Sequence, residues 1–339
     1  MKVSEIGEFG LIDLLAEMAD RARNKQKSSD RQLIIGIGDD TAAWHGDTSI
    51  QLATVDSLIQ DTHFTLDTAS WEEVGWKSLA VNLSDIAAMG GLPRYALVSL
   101  ALPYDTEVEN VTALYQGMIE LARQFDVAII GGNVSSAPQL AVHVTVLGTV
   151  GNQAKQILTR SSARPGDRMA VTGYLGAAAA GLEMLKKNLT FKSGVTSALR
   201  KAFLKPYPRI AEGQLLVKHG VIAAIDISDG LLADLGHVCR ASQVSARIRV
   251  DLVPVAPEVR ANFDDRALEL ALAGGEDYEL LFTGSSEIIN SVRKAASCPV
   301  TVIGEILAGK AGELNLVDSN GESVSLPSTG WDHFSTRKS

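Results

Sequence analysis

Cysteine is nearly absent from this chain: Cys239 and Cys298 are the only two in 339 residues. They stand far apart, without the paired spacing of a zinc or redox site. A disulfide framework is therefore excluded, and a reducing compartment, the cytoplasm by default, is the expectation. No run of 18 apolar residues occurs, so no membrane-spanning helix is expected. Met1-Lys2-Val3-Ser4-Glu5 lacks the basic and apolar regions of a signal peptide. Positive charge is short as well. Lys and Arg number 31 against 40 Asp and Glu, a net charge of −9, which argues against a nucleic-acid-binding surface.

Several familiar signatures are missing too. There is no G-x-x-x-x-G-K-[ST] loop, so the phosphate cradle of P-loop ATPases is excluded. Gly36-Ile37-Gly38 opens like a dinucleotide fingerprint, but Thr41 replaces the third glycine and Asp39-Asp40 would repel a pyrophosphate. Kinase-type H-R-D and D-F-G and the G-x-S-x-G nucleophile turn do not occur. Low-complexity tracts and 20–50-residue repeats are also lacking.

What the chain does have is 46% hydrophobic and 21% charged residues, the balance of a globular protein long enough for two domains. It also has acidic clusters set among small residues: Gly38-Asp39-Asp40, Asp56, Ser84-Asp85, Asp226-Ile227-Ser228-Asp229, Asp234 and Gly274-Gly275-Glu276-Asp277. Turn and N-cap chemistry would account for any one of them. As a set they sit where β-branched runs end or helices begin, the edge at which open α/β sheets bind ligands. Carboxylates so placed suit Mg²⁺, a hard ion that shares its shell between one or two carboxylates, water and substrate phosphates. Bound Mg²⁺ would also reconcile an acidic chain with an anionic substrate.

Strand and helix patterns alternate, giving an α/β (α+β) fold in two domains, 1–151 and 152–339, with the boundary near 151–156. Helices are predicted at the N-terminus up to about Arg23 and over 71–89, 108–124, 177–185 and 231–239, with another after the rigid insert Lys205-Pro206-Tyr207-Pro208-Arg209 and one running through Leu272. Strands are predicted over 33–37, 50–55, 96–102, 128–130, 140–150, 168–172, 223–227, 247–253, 279–283 and 300–306. Gly173-Tyr174-Leu175-Gly176 opens a helix and would either face phosphate or pack closely on a sheet. Arg160 is either a phosphate clamp or an ordinary exposed arginine. His63, seven residues after Asp56, is either structural or part of the acidic site. Trp331 would either stack on a ring or anchor the tail.

The segments Gly7-Glu-Phe-Gly-Leu-Ile12, Gly36-Ile-Gly-Asp-Asp-Thr-Ala42, Asp56-Ser-Leu-Ile-Gln-Asp-Thr-His63-Phe64 and Asn82-Leu-Ser-Asp85-Ile-Ala-Ala-Met-Gly90 resemble those of thiamine-monophosphate kinases. So do Asp226-Ile-Ser-Asp-Gly-Leu231, Gly274-Gly-Glu-Asp-Tyr-Glu-Leu280 and Gly330-Trp-Asp-His-Phe334. The resemblance spans nearly the whole chain. It implies ATP- and Mg²⁺-dependent phosphorylation of thiamine monophosphate to thiamine diphosphate, and the two-domain aminoimidazole ribonucleotide synthetase-like fold. N-terminal sheets pairing across a homodimer, and ATP with several ions in a cleft, are implied with it.

Residue by residue, it implies that Asp39, Thr54, Val55, Asp56, Asp85, Asn133, Asp226 and Asp229 lie at metal positions. Tyr115, Gly132, Asn133, Arg160 and Ser228 lie at ATP positions, and His63, Glu276 and Trp331 at thiamine phosphate positions. Asp39, Asp85, Arg160 and Asp229 are the expected catalytic set. Asn133 departs from the family's Gly-Gly-Asp-Thr, and Val55 stands where a hydroxyl-bearing or backbone ligand is common, so one ion is expected to bind more weakly. The alternatives are another ATP-using enzyme of the same superfamily and a decayed nucleotide- or metal-binding regulator.

Overall fold

The computed structural model describes residues 2–23, 33–35, 37, 43–44, 46, 49–150 and 157–324. Two compact units form. One comprises Met1–Ile86 with Gly91–Gln153, the other Ala87–Gly90 with Ala154–Ser339. The boundary expected at 151–156 lies outside the described residues.

The first unit runs α1 (Val3–Arg23), β1 (Leu33–Ile35), β2 (Ala43–Trp44), β3 (Gln51–Ile59), α2 (Trp71–Ala88), β4 (Leu92–Leu102), α3 (Val108–Gln124), β5 (Ala128–Ser136) and β6 (Ala141–Thr149). Four of the strands form one sheet in the order β3-β6-β4-β5, antiparallel except for the β4/β5 pair. Along β6, Val142, Val144 and Val146 are buried and their neighbours are half-buried, the alternation of a strand with one face on a core. A reciprocal capping box starts α2: the Ser70 N–H donates to Glu73 Oε2 at 2.8 Å and the Glu73 N–H to Ser70 Oγ at 3.2 Å. Glycines bring α2 and α3 together, since a Cβ at Gly75 would stand 1.8 Å from the Leu114 carbonyl oxygen and one at Gly117 would stand 1.9 Å from that of Glu72. No larger residue fits either crossing point.

In the second unit the order is β7 (Arg168–Thr172), α4 (Ala177–Lys187), α5 (Ser193–Leu204), α6 (Ile210–Lys218), β8 (Ala223–Asp226), α7 (Leu231–Ala241), β9 (Ser245–Arg249), α8 (Pro257–Asn262), α9 (Ala267–Ala273), β10 (Leu280–Gly284), α10 (Ser286–Ala295), β11 (Val300–Leu307) and β12 (Leu314–Val317). Its six-stranded sheet reads β12-β9-β11-β7-β10-β8, with only β12/β9 parallel. Val171, Ile225, Ile248, Leu281 and Ile303 from the strands form one core with Leu232, Leu235 and Cys239 of α7. Burial pushes the Cys239 thiol up to about 11, so it behaves as a packing residue. No helix among the described residues is long and apolar enough to cross a membrane.

Three departures from the sequence reading have physical causes. β5 does not turn at Gly131 but continues to Ser136. Parallel pairing with β4 carries it on, and a Cβ at Gly132 would lie 1.8 Å from the Val98 carbonyl oxygen. The strand expected over 247–253 begins at Ser245, stops at Arg249 and gives way to one 3₁₀ turn, Val250–Leu252. Finally, α5, α10 and β12 were not anticipated. Of these α10 carries the clearest signal, with Ser285 as N-cap accepting from the Ile288 N–H at 3.4 Å.

Candidate active site

Strand alternation sends Thr54 and Asp56 of β3 to one face and Val55, 63% exposed, to the other. Thr54 Oγ1 donates to Asp85 Oδ2 from α2, and the Asp85 carboxyl acts directly on that of Asp56. Burial, with the Asp85 charge second, pushes the Asp56 carboxyl up to about 6. Two carboxylates forced together need a proton or a cation between them. Three residues before Asp85 on the same helix, Asn82 is fully buried, and its Oδ1 has no hydrogen-bond partner among the described residues. Two carboxylates and a hydroxyl offer oxygen donors only, which fits Mg²⁺. Among the described residues no three His, Cys, Asp or Glu converge into a preformed cage. Asp39 lies outside the described residues.

His63 sits in the turn after β3, where its Nδ1 accepts the Ile59 N–H at 3.0 Å. That bond places the proton of a neutral ring on Nε2. Gly132 and Asn133 are not brought beside Asp56. The register runs Asp56, Val144, Val98, Gly132 across the sheet, so β5 stands three strand spacings, roughly 14 Å, from β3. Tyr115 is only 4% exposed on the inner face of α3, and burial raises its hydroxyl pKa. It is a core residue of this unit.

In the second unit Asp226 ends β8 and is 2% exposed. The turn after it is held from two sides. On one side the backbone of 276–279 is zipped to it, with Ile227 N–H donating to Glu279 O at 2.8 Å, Tyr278 N–H to Ile227 O at 2.9 Å and Glu276 N–H to Ser228 O at 2.7 Å. On the other side Asp234 of α7 accepts the Ser228 and Asp229 N–H groups on Oδ2 at 3.0 and 3.1 Å. Burial, followed by the Asp226 and Asp229 charges, pushes the Asp234 carboxyl up to about 8 against those two amides. Glu276, with φ of 69°, is placed next to Ser228 by this pairing.

The residues after Glu276 are scaffold. The Asp277 carboxyl group accepts the Gly176 N–H at 2.8 Å and the Ala178 N–H at 3.3 Å, so the N-terminus of α4 is capped by the protein itself. This decides between the two readings of Gly173-Tyr-Leu-Gly176 in favour of close packing. At Gly173, φ is +58° and a Cβ would stand 2.0 Å from Glu279 Oε1. Glu279 in turn forms a bidentate pair with Arg209, Nε to Oε2 at 2.7 Å and Nη2 to Oε1 at 2.5 Å, and accepts Thr172 Oγ1 at 2.6 Å.

Arg160 is exposed in the turn after Thr159. Its carbonyl accepts Ser242 Oγ at 2.9 Å, and its charge reaches His237, as does that of Asp229. Arg160 therefore belongs to the neighbourhood of the Asp226–Asp229 turn. The sequence reading missed Arg209 and the scaffold roles of Asp277 and Glu279, because burial and pairing at 70 or more residues' separation leave no local signal. Trp331 lies outside the described residues.

Comparison with known proteins bears on this arrangement. Residues 38–150 match the family model "AIR synthase related protein, N-terminal domain" and residues 164–317 match "AIR synthase related protein, C-terminal domain". The thiamine-monophosphate kinase of Bacillus subtilis is 37% identical over 310 residues, 88% of this chain and 93% of that one. A crystal structure of thiamine-monophosphate kinase from Stenotrophomonas maltophilia K279a superposes with TM-score 0.81 at 33% identity, covering 91% of this chain and 96% of its own. A structure described as AaThiL complexed with AMPPCP and TMP gives TM-score 0.75 at 34% identity over 98% and 99% of the two chains. With both domain models matched in order and relatives this similar along almost the whole length, the chain belongs to the thiamine-monophosphate kinase family, on the AIR synthase related fold.

Proposed function

We infer that this protein transfers the γ-phosphoryl group of ATP to the phosphate of thiamine monophosphate, forming thiamine diphosphate. The observation that carries this reading is the Thr54, Asp56 and Asp85 oxygen cluster, in a chain 34% identical to a protein complexed with AMPPCP and TMP. Asp39, Thr54, Asp56, Asp85, Asp226 and Asp229 would hold Mg²⁺, with Val55 contributing through its backbone and Asn133, on β5 away from Asp56, as a weaker ligand of a separate ion. Bound there, the ions supply neutralisation of the triphosphate charge. Ser228, Arg160 and Gly132 contact ATP, while His63, Glu276 and Trp331 contact thiamine monophosphate. Tyr115 is left out of the ATP set because its side chain is in the core.

Transfer is direct and in line. The acceptor oxygen is already ionised at neutral pH, so the protein needs no strong general base, and catalysis rests on positioning and charge. Arg160 offers a planar fork to a phosphate, and His63 stands with the acceptor substrate. A homodimer in the cytoplasm belongs to the same reading, and sedimentation of the purified protein tests the dimer.

The deciding experiment is a mass-resolved assay of purified protein with ATP, Mg²⁺ and thiamine monophosphate, beside free thiamine and ATP-only controls. Thiamine diphosphate formed from the monophosphate alone is the expected result. No product over a broad Mg²⁺ range, with ATP still bound, would overturn the reading in favour of another enzyme of the superfamily or an inactive binder.

A further inference from the structure

Two features of α7 are used neither by the metal set nor by the scaffold. One is Ser242, immediately after the helix. Its Oγ donates to the Arg160 carbonyl at 2.9 Å and accepts the Ala163 N–H at 3.0 Å, so one hydroxyl clamps both ends of the Arg160–Ala163 turn to the end of α7. The other is His237, exposed more than one helical turn before Ser242. Its surroundings are Arg240 and Arg160 on the basic side and Asp229 on the acidic side.

The ring's tautomer follows from its partner. Arg240 Nη2 lies 3.3 Å from His237 Nδ1, and a guanidinium can only donate. Nδ1 is therefore the acceptor, and the ring proton sits on Nε2. Burial first, then the two arginine charges, lowers the pKa of the ring, in keeping with an Nδ1 that accepts from Arg240. The outcome is a single N–H donor of fixed identity within electrostatic reach of Arg160 and Asp229, on the helix whose end Ser242 ties to the Arg160 turn.

We propose that His237 donates its Nε2–H to a phosphate oxygen of the bound nucleotide alongside Arg160, and that Ser242 is the positioning residue that keeps the Arg160 turn in register with it. This rests on the reading of Arg160 as an ATP contact. It adds a nucleotide contact and a clamp, both from the second unit, to the residues already assigned.

The test is steady-state kinetics and Mg·ATP binding by calorimetry on His237→Ala, His237→Gln, His237→Asn, Ser242→Ala and Ser242→Thr. A glutamine amide nitrogen reaches the place of Nε2, whereas that of asparagine reaches only the place of Nδ1. The expected result is an ATP kcat/KM about tenfold lower in His237→Ala and His237→Asn, largely restored in His237→Gln, with the KM for thiamine monophosphate within twofold of wild type. Ser242→Ala should behave like His237→Ala, and Ser242→Thr should retain function. ATP parameters within twofold of wild type in both alanine variants would overturn the proposal, as would equal losses toward both substrates. If wild-type protein turned over no thiamine monophosphate, the function reading would fall, yet Mg·ATP affinity in wild type against His237→Ala would still decide the role of His237.

Discussion

The carboxylate of Asp234 accepts the backbone N–H of Asp229 at 3.1 Å, and the same oxygen accepts that of Ser228 at 3.0 Å. Asp234 is 2% exposed, so no solvent would replace it at those amides. Asp234→Ala should leave two donors unpaired, cost about 1–3 kcal/mol of stability and lower kcat more than about tenfold by loosening the turn. Asp234→Asn keeps an acceptor oxygen and should recover most of the stability. Urea unfolding together with turnover of thiamine monophosphate checks both, and equal stability of the two variants would refute the acceptor role.

The Asp56–Asp85 contact separates a metal site from a structural one by the sign of its effects. In metal-free protein at pH 7.5, Asp56→Asn removes a like-charge pair and should leave stability unchanged or raise it by up to about 1 kcal/mol. Turnover should fall by about 10²–10³ in Asp56→Asn and in Asp85→Asn. Added Mg²⁺ should raise the Tm of the wild-type protein and fail to raise that of the variants. A destabilised metal-free Asp56→Asn with normal turnover would contradict the assignment.

Arg209 and Glu279 form a half-buried bidentate pair, with side chains 20% and 9% exposed. Arg209→Ala strands the Glu279 carboxylate and should cost about 3–5 kcal/mol. The double variant Arg209→Met/Glu279→Gln removes the stranded charge and should be the more stable of the two. Denaturant midpoints compare them, and the reverse ranking would show that Glu279 finds another partner.

Asp277 makes a pH prediction. Burial pushes its carboxyl from 3.8 up to about 8, opposed by the Gly176 and Ala178 amides. The folded protein therefore holds a proton that the unfolded chain releases. The contribution to stability is complete below about pH 4 and declines as pH rises through about 8, by at most about 1.4 kcal/mol per pH unit. Asp277→Asn keeps an acceptor for α4 without titrating, so its stability should decline less between pH 5 and 8. Parallel curves for the two proteins would mean that Asp277 is ionised in the folded state.

The sequence by itself determined the elements whose cause is local. α3 runs from Val108 to Gln124 as its periodicity predicts, β6 alternates as written, and Asp56, Asp85, Asp226 and Asp229 stand out as candidates because small-residue turns and strand ends are local patterns. It also determined the family, since the motif order is linear information. Only the tertiary structure decided the rest. That Asp56 meets Asp85, that Asp277 caps α4 in place of a phosphate, that Arg209 answers Glu279, and that Gly132 continues a strand all depend on neighbours 29 to 101 residues away. Whether a carboxylate is a ligand, a cap or half of an ion pair is set by what burial places against it, and burial belongs to the packed chain.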